Sequence, residues 1–155
     1  MPEASTIRDL TIAPVQGGVT APAGFRSAAL HCGIKAAQHA LDLTVIAADE
    51  IASAAGLFTT NLAQAAPVLV SKQHLVRTGG LARAIAVNSG CANACTGEQG
   101  LSDAARMAKE VAAALFCDPT QVLVASTGVI GVPLPVGVIA VDSAPGSGTT
   151  FTITL

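Results

Sequence analysis

The chain has 155 residues, enough for one domain or for part of a larger one. It is 51% hydrophobic and only 12% charged, with a net charge of −2 and four Phe as its sole aromatics. It therefore lacks the basic field that a nucleic-acid backbone requires and the aromatic platforms on which single-stranded bases stack, and its surplus of apolar residues calls for cover by further chain or by a partner.

Taken in order, residues 1–13 are polar and mixed and read as a mobile N-terminal segment. Met1-Pro2-Glu3 opens without a basic stretch followed by an apolar run, so no secretory leader is expected. Cys32, Cys91, Cys95 and Cys117 then read as free thiols of a cytoplasmic protein. Gln16 to Phe25 is rich in Gly and Pro and reads as a loop. Leu41–Ala48, β-branched and apolar, predicts a buried strand, and Gly56–Thr60 a second, short one. Ala66–Val70 predicts a third strand, with Pro67 near its start. Lys72–Thr78 predicts a short helix closed by Gly79-Gly80. Arg83–Asn88 predicts a fourth strand.

The clearest helix runs from Leu101 to Phe116. Leu101, Ala104, Ala105, Ala108, Val111, Ala112 and Leu115 form one apolar stripe, opposite Asp103, Arg106, Lys109 and Glu110. Asp118-Pro119 ends it, and Gln121–Ala125 predicts a fifth strand running into Ser126-Thr127-Gly128. Residues 121–141 carry no charge until the segment ends, but three glycines and two prolines break it, so it reads as strand and loop and no membrane span is expected. Four or five strands with one long helix predict an α/β (α+β) domain, and strands this poor in charge predict a sheet covered on both faces.

Several segments carry chemistry-bearing side chains. Asn88-Ser89-Gly90-Cys91-Ala92-Asn93-Ala94-Cys95-Thr96-Gly97 joins a strand to the long helix, and its Asn and Ser side chains either bind a ligand or satisfy the loop backbone; the second role is the commoner. Cys91 and Cys95 have a spacing compatible with zinc, but adjacent His31-Cys32 supplies a poor second half, since neighbours in extended chain face opposite ways. No metal or cofactor is expected. Cys95 near a helix start is a conceivable thiol nucleophile, yet no local signature links it to His31, His39 or His74. Ser126-Thr127-Gly128 either forms an oxyanion hole or is an ordinary strand-end turn.

A resemblance to the ornithine acetyltransferase (glutamate N-acetyltransferase) family runs collinearly through these segments. It is carried by Gly17-Gly18-Val19-Thr20-Ala21-Pro22-Ala23-Gly24-Phe25-Arg26, Cys32-Gly33-Ile34-Lys35, Gly56-Leu57-Phe58-Thr59-Thr60-Asn61 and Ala65-Ala66-Pro67-Val68. It continues through Asn88 to Gly100, Ser126-Thr127-Gly128-Val129-Ile130-Gly131 and Pro133-Leu134-Pro135. Cys91 stands where the family more often has Asn. The resemblance implies a layered αββα sandwich and transfer of an acetyl group from N-acetylornithine to glutamate, in some members also from acetyl-CoA. It implies a precursor that cuts itself, freeing a Thr nucleophile at the start of a second, β chain. It also implies an oxyanion hole built from Thr127 and Gly128. Substrate-binding residues stay unassigned.

On this reading residues 14–136 form an α-chain-like domain and residues 137–155 a divergent tail. The family's Lys-Gly-Ala-Gly run and cleavage-site Thr are missing, so the chain is expected to be inactive until a partner bearing the Thr nucleophile joins it in a hetero-oligomer. The alternatives are a non-catalytic module that pairs with a sandwich-fold partner, and a related self-processing amidase.

Overall fold

The computed structural model describes residues 16–37, 39–135, 138–143 and 149–154. The N-terminal segment expected over residues 1–13 lies outside them. Strand β1 (Phe25–Leu30) is followed by β2 (Leu43–Ser53), helix α1 (Ala66–Thr78), β3 (Leu81–Cys91), helix α2 (Gly97–Leu115), a 3-10 turn (Pro119–Gln121) and β4 (Val122–Val129). These four strands form one sheet in the order β1-β2-β3-β4. The first two junctions are antiparallel, whereas β3 and β4 run parallel, joined through α2. A separate antiparallel pair, β5 (Val138–Ser143) and β6 (Thr149–Thr154), follows. The result is the mixed α/β domain that the sequence predicts.

Both helices pack on one face of the sheet. Leu43, Val45 and Ala47 of β2, Ala84 and Ala86 of β3, and Val122 and Val124 of β4 meet Ala66 and Val70 of α1 and Ala104, Met107, Ala108, Val111 and Ala112 of α2. The small residues are what allow this. Ala86, Ala104, Ala108 and Ala112 are wholly buried, and side chains this small let the helix approach the strands closely. The opposite face is less covered than the sequence predicts. Register places Ile46, Ile85 and Leu123 side by side there, and Ile85 keeps 39% of its surface exposed.

Two predicted elements differ, and one strand was not predicted. Ala66–Val70 is the first part of α1, not a strand. Pro67 sits in the opening turn, where its missing N–H leaves nothing unpaired. The helical period is hidden because two buried positions are polar. Ser71 Oγ donates to Val124 O at 2.7 Å and accepts from Val124 N at 2.8 Å, and His74 Nδ1 lies 2.8 Å from Val122 O. These contacts place α1 along the outer edge of β4 and pair that edge's backbone, which sheet edges otherwise leave open. Gly56–Thr60 is loop, with Leu57 fully exposed. Strand β1, by contrast, falls in a region without alternating burial. Five of its six residues are exposed, so no apolar period marks it.

Candidate functional site at the ends of the parallel strands

Parallel strands β3 and β4 end together, in the position where open α/β sheets place their ligand sites. Ser89 pairs with Thr127 and Gly90 with Gly128, and a bulge then sets Cys91 against both Thr127 and Val129. Thr127 is exposed. By alternation along β4 it belongs to the less covered face, with Leu123 and Ala125.

Gly128 is fixed by its neighbour. Its φ is +132°, in the region that favours glycine, and a Cβ here would stand 2.3 Å from the backbone carbon of Gly90. Gly90 in turn has φ +112°, and its own Cβ would meet Ile34 Cγ2 at 2.9 Å and Lys35 Cγ at 3.0 Å. The turn is thus two glycine backbones stacked on the loop around Ile34 and Lys35.

That loop is held by Asp42, which is 2% exposed. Its Oδ1 accepts from the Cys32 N–H at 2.6 Å and its Oδ2 from the Lys35 N–H at 2.9 Å. His31 Nδ1 lies 3.2 Å from Oδ2. The Asp42 carbonyl also accepts from the Ser89 N–H at 2.8 Å, tying the same residue to the end of β3. Burial pushes the Asp42 pKa up, but the two backbone N–H groups, the Cys32 thiol and His31 outweigh it and hold the carboxyl below its ordinary value. Neither the role of Asp42 nor that of Gly90 carries a signal in the sequence, because the Asp42 carboxylate binds backbone N–H groups and Gly90 packs against the Gly128 backbone, and backbone groups are alike in every residue. Beyond the strands, Ala92 N donates to Val129 O at 2.9 Å and Gly131 N to Ala94 O at 2.8 Å. The Cys91 thiol lies 3.1 Å from Val132 O.

The remaining candidates from the sequence separate into structural roles. Asn93 is fully buried with φ +46°. Its Nδ2 donates to Gly100 O at 2.8 Å and its Oδ1 accepts from the Thr96 hydroxyl at 2.7 Å, bracing the start of α2. Asn88 Nδ2 donates to Cys91 O at 2.8 Å. The loop-satisfying reading of this segment therefore describes both Asn side chains.

No group of three or more metal-binding side chains occurs among the described residues. Cys32 is a poor thiolate, since burial first and the adjacent Asp42 second push its pKa up to about 12. Cys95 is exposed at the mouth of a cavity of about 330 Å³ lined by Gln64, Leu69, Thr96, Glu98 and Leu101. His31 and His74 direct Nδ1 to the carbonyls of Ala40 and Val122, and no His lines the cavity beside Cys95. No helix among the described residues is long and apolar enough to cross a membrane.

The profile of the ArgJ family matches residues 26–145, from the second residue of β1 through β4, with both helices and the glycine-stacked turn. The chain belongs to the ArgJ family. It is 49% identical over 122 residues to the arginine biosynthesis bifunctional protein ArgJ of Prochlorococcus marinus, covering 79% of this chain and 28% of that protein. To the ArgJ of Dehalococcoides mccartyi it is 50% identical over 121 residues, covering 77% of this chain and 29% of that one. Among solved structures it superposes on the ArgJ protein of Bacillus halodurans with a TM-score of 0.72 at 41% identity, covering 77% of this chain and 61% of that chain. It superposes on the ornithine acetyltransferase of Mycobacterium tuberculosis, solved with ornithine, with a TM-score of 0.70 at 48% identity, covering 76% and 63%. The chain thus spans under a third of the length of these curated ArgJ relatives.

Proposed function

We propose that this chain is the oxyanion-hole-bearing part of an arginine-biosynthetic acetyltransferase, which moves an acetyl group from N-acetylornithine to glutamate and is inactive until a second part brings a Thr nucleophile. The observation that carries this reading is the turn at Thr127 and Gly128. An exposed Thr127 stands beside a glycine packed so closely on Gly90 that no side chain fits there, a geometry that supports reading the two residues as preorganised donors. Such preorganisation stabilises a developing oxyanion, because no reorganisation is needed when charge appears.

In this reading the nucleophile's hydroxyl attacks the acetyl carbonyl of N-acetylornithine. The carbonyl oxygen gains negative charge and is held by the Thr127 hydroxyl and the Gly128 N–H. Collapse expels ornithine as the amine, which takes a proton, and leaves an acetyl ester on the nucleophile. Glutamate's amine then attacks the ester through a second oxyanion in the same place, and the nucleophile's hydroxyl is restored. Acetyl-CoA is an alternative donor for the first step. The family membership, the relatives named for arginine biosynthesis and the exposure of Thr127 support the scheme. A cytoplasmic location accords with these substrates.

The test is reconstitution. The chain is co-expressed with the remaining part of an ArgJ relative, and ornithine release from N-acetylornithine and glutamate is measured. The expected outcome is turnover in the assembly and buffer-level release from the chain alone. Thr127→Ala in the assembly is expected to lower kcat by about 10²–10³-fold. Full activity in that variant would remove Thr127 from the mechanism. Tight association without turnover would instead support the alternative of a non-catalytic interaction module.

A further inference from the structure

Two routes lead from Asp42 to the turn at Thr127 and Gly128, and both pass through Gly90. The first starts at the carboxylate. Its two oxygens take the N–H groups of Cys32 and Lys35 at 2.6 and 2.9 Å, which fixes the loop between those residues. The loop sets Ile34 and the stem of Lys35 against Gly90, where an added Cβ would stand 2.9 Å from Ile34 Cγ2 and 3.0 Å from Lys35 Cγ. The second starts at the main chain. The Asp42 carbonyl accepts from the Ser89 N–H at 2.8 Å, its N–H donates to Leu30 O at 3.0 Å, and the next residue, Leu43, pairs with Asn88. One buried residue thus holds both the chain that enters Gly90 and the side chains packed on it.

Gly90 is in turn what Gly128 rests on. A Cβ on Gly128 would overlap the carbonyl group of Gly90 and the nitrogen of Cys91, so the Gly90–Cys91 peptide lies directly against Gly128. Packed groups pass displacements to one another by contact. The carboxylate is the chemistry this arrangement needs. An amide of the same size offers one acceptor oxygen for the two N–H groups, and bonds to an ionised acceptor are shorter and stronger than neutral ones.

We propose that Asp42 is a positioning residue that sets the direction of the Gly128 N–H. It acts through residues 32–35 and the Gly90–Cys91 peptide, not by contact with a reacting group. The catalytic consequence rests on the acetyl-transfer reading above; the positioning itself does not.

The test has one readout on the full chain and one on the assembly. In the full chain, the Gly128 amide resonance is followed in Asp42→Asn. It is expected to move while the amides of Val111 and Ala112 in α2 stay in place. The resonances report folded molecules, so a loss of stability alone would leave Gly128 unshifted. Should Asp42→Asn fail to fold, Ile34→Ala, which strips a half-buried side chain from Gly90, is expected to move the same amide. A Gly128 amide that stays in place in the folded variants overturns the proposal. In the assembly with the remaining part of an ArgJ relative, Asp42→Asn is expected to lower kcat by about 10–100-fold, with the KM for N-acetylornithine changed less than about twofold, because a misplaced donor weakens the hold on the oxyanion more than on the bound substrate. If Thr127→Ala lowers kcat and Asp42→Asn does not, the proposal is overturned. If neither lowers it, the oxyanion-hole reading fails instead, and the amide shift decides the positioning.

Discussion

Gly128 shows how one residue type becomes obligatory. A methyl group there would meet the backbone of Gly90, which has no flexible end to yield, and the φ of +132° adds strain for any L side chain. Gly128→Ala is therefore expected to lower the unfolding free energy by about 3 kcal/mol or more, or to prevent folding, as read by urea denaturation. A variant as stable as the original would contradict the stacked turn. Asp42 makes a second prediction at this scale. Its folded-state pKa lies below the ordinary value, so its stabilisation is complete at neutral pH and is lost as pH falls through the folded value. Denaturation followed from neutral to acid pH is expected to show a limb of falling stability. Asp42→Asn should flatten that limb and cost about 1–3 kcal/mol at neutral pH, since the amide meets the Cys32 and Lys35 N–H groups with only one acceptor oxygen. An unchanged acid limb in the variant would assign the pH dependence to another group.

Among the elements, α2 was legible and α1 was half hidden. The α2 stripe of Ala104, Ala108, Val111 and Ala112 repeats with helical period and is buried almost completely. In α1 the buried positions include Ser71 and His74, which bond the backbone of β4 instead of filling apolar space, so the first turns mimic an apolar strand. The end of α2 is also suboptimal. Phe116 occupies the left-handed cap with φ +52° while its side chain is 85% exposed. Glycine is the residue suited to that conformation, and little packing is lost with this ring. Phe116→Gly is expected to stabilise the chain by about 0.5–1 kcal/mol, seen as a raised denaturation midpoint. A lowered midpoint would show that the ring contributes packing at this end.

At the level of the whole molecule, the less covered sheet face is the dominant feature. Ile46, Ile85 and Leu123 form an apolar row across three strands, and Leu57 and Leu62 are fully exposed on a loop. Under the proposed function this apolar surface is where the second part of the enzyme would dock. Ile85→Lys is expected to change the unfolding free energy of the chain alone by no more than about 1 kcal/mol. In the reconstituted assembly it should weaken association at least tenfold by titration calorimetry. Equal affinity would place the partner elsewhere.

Local sequence alone determined α2, the cores of β2, β3 and β4, and the glycine closing α1, because period and backbone preference act within a few residues. The Ser126-Thr127-Gly128 motif was legible from its residues as one of two alternatives, oxyanion hole or strand-end turn, and the family pattern favoured the first. Strand β1, the edge-covering role of α1 and the bracing of the turn by Gly90, Lys35 and Asp42 were decided by tertiary structure. Each depends on backbone groups as one partner, whether to Ser71, His74 or the Asp42 carboxylate or to another strand, and a backbone N–H or carbonyl is the same in every residue that carries it, so no side-chain pattern announces the contact.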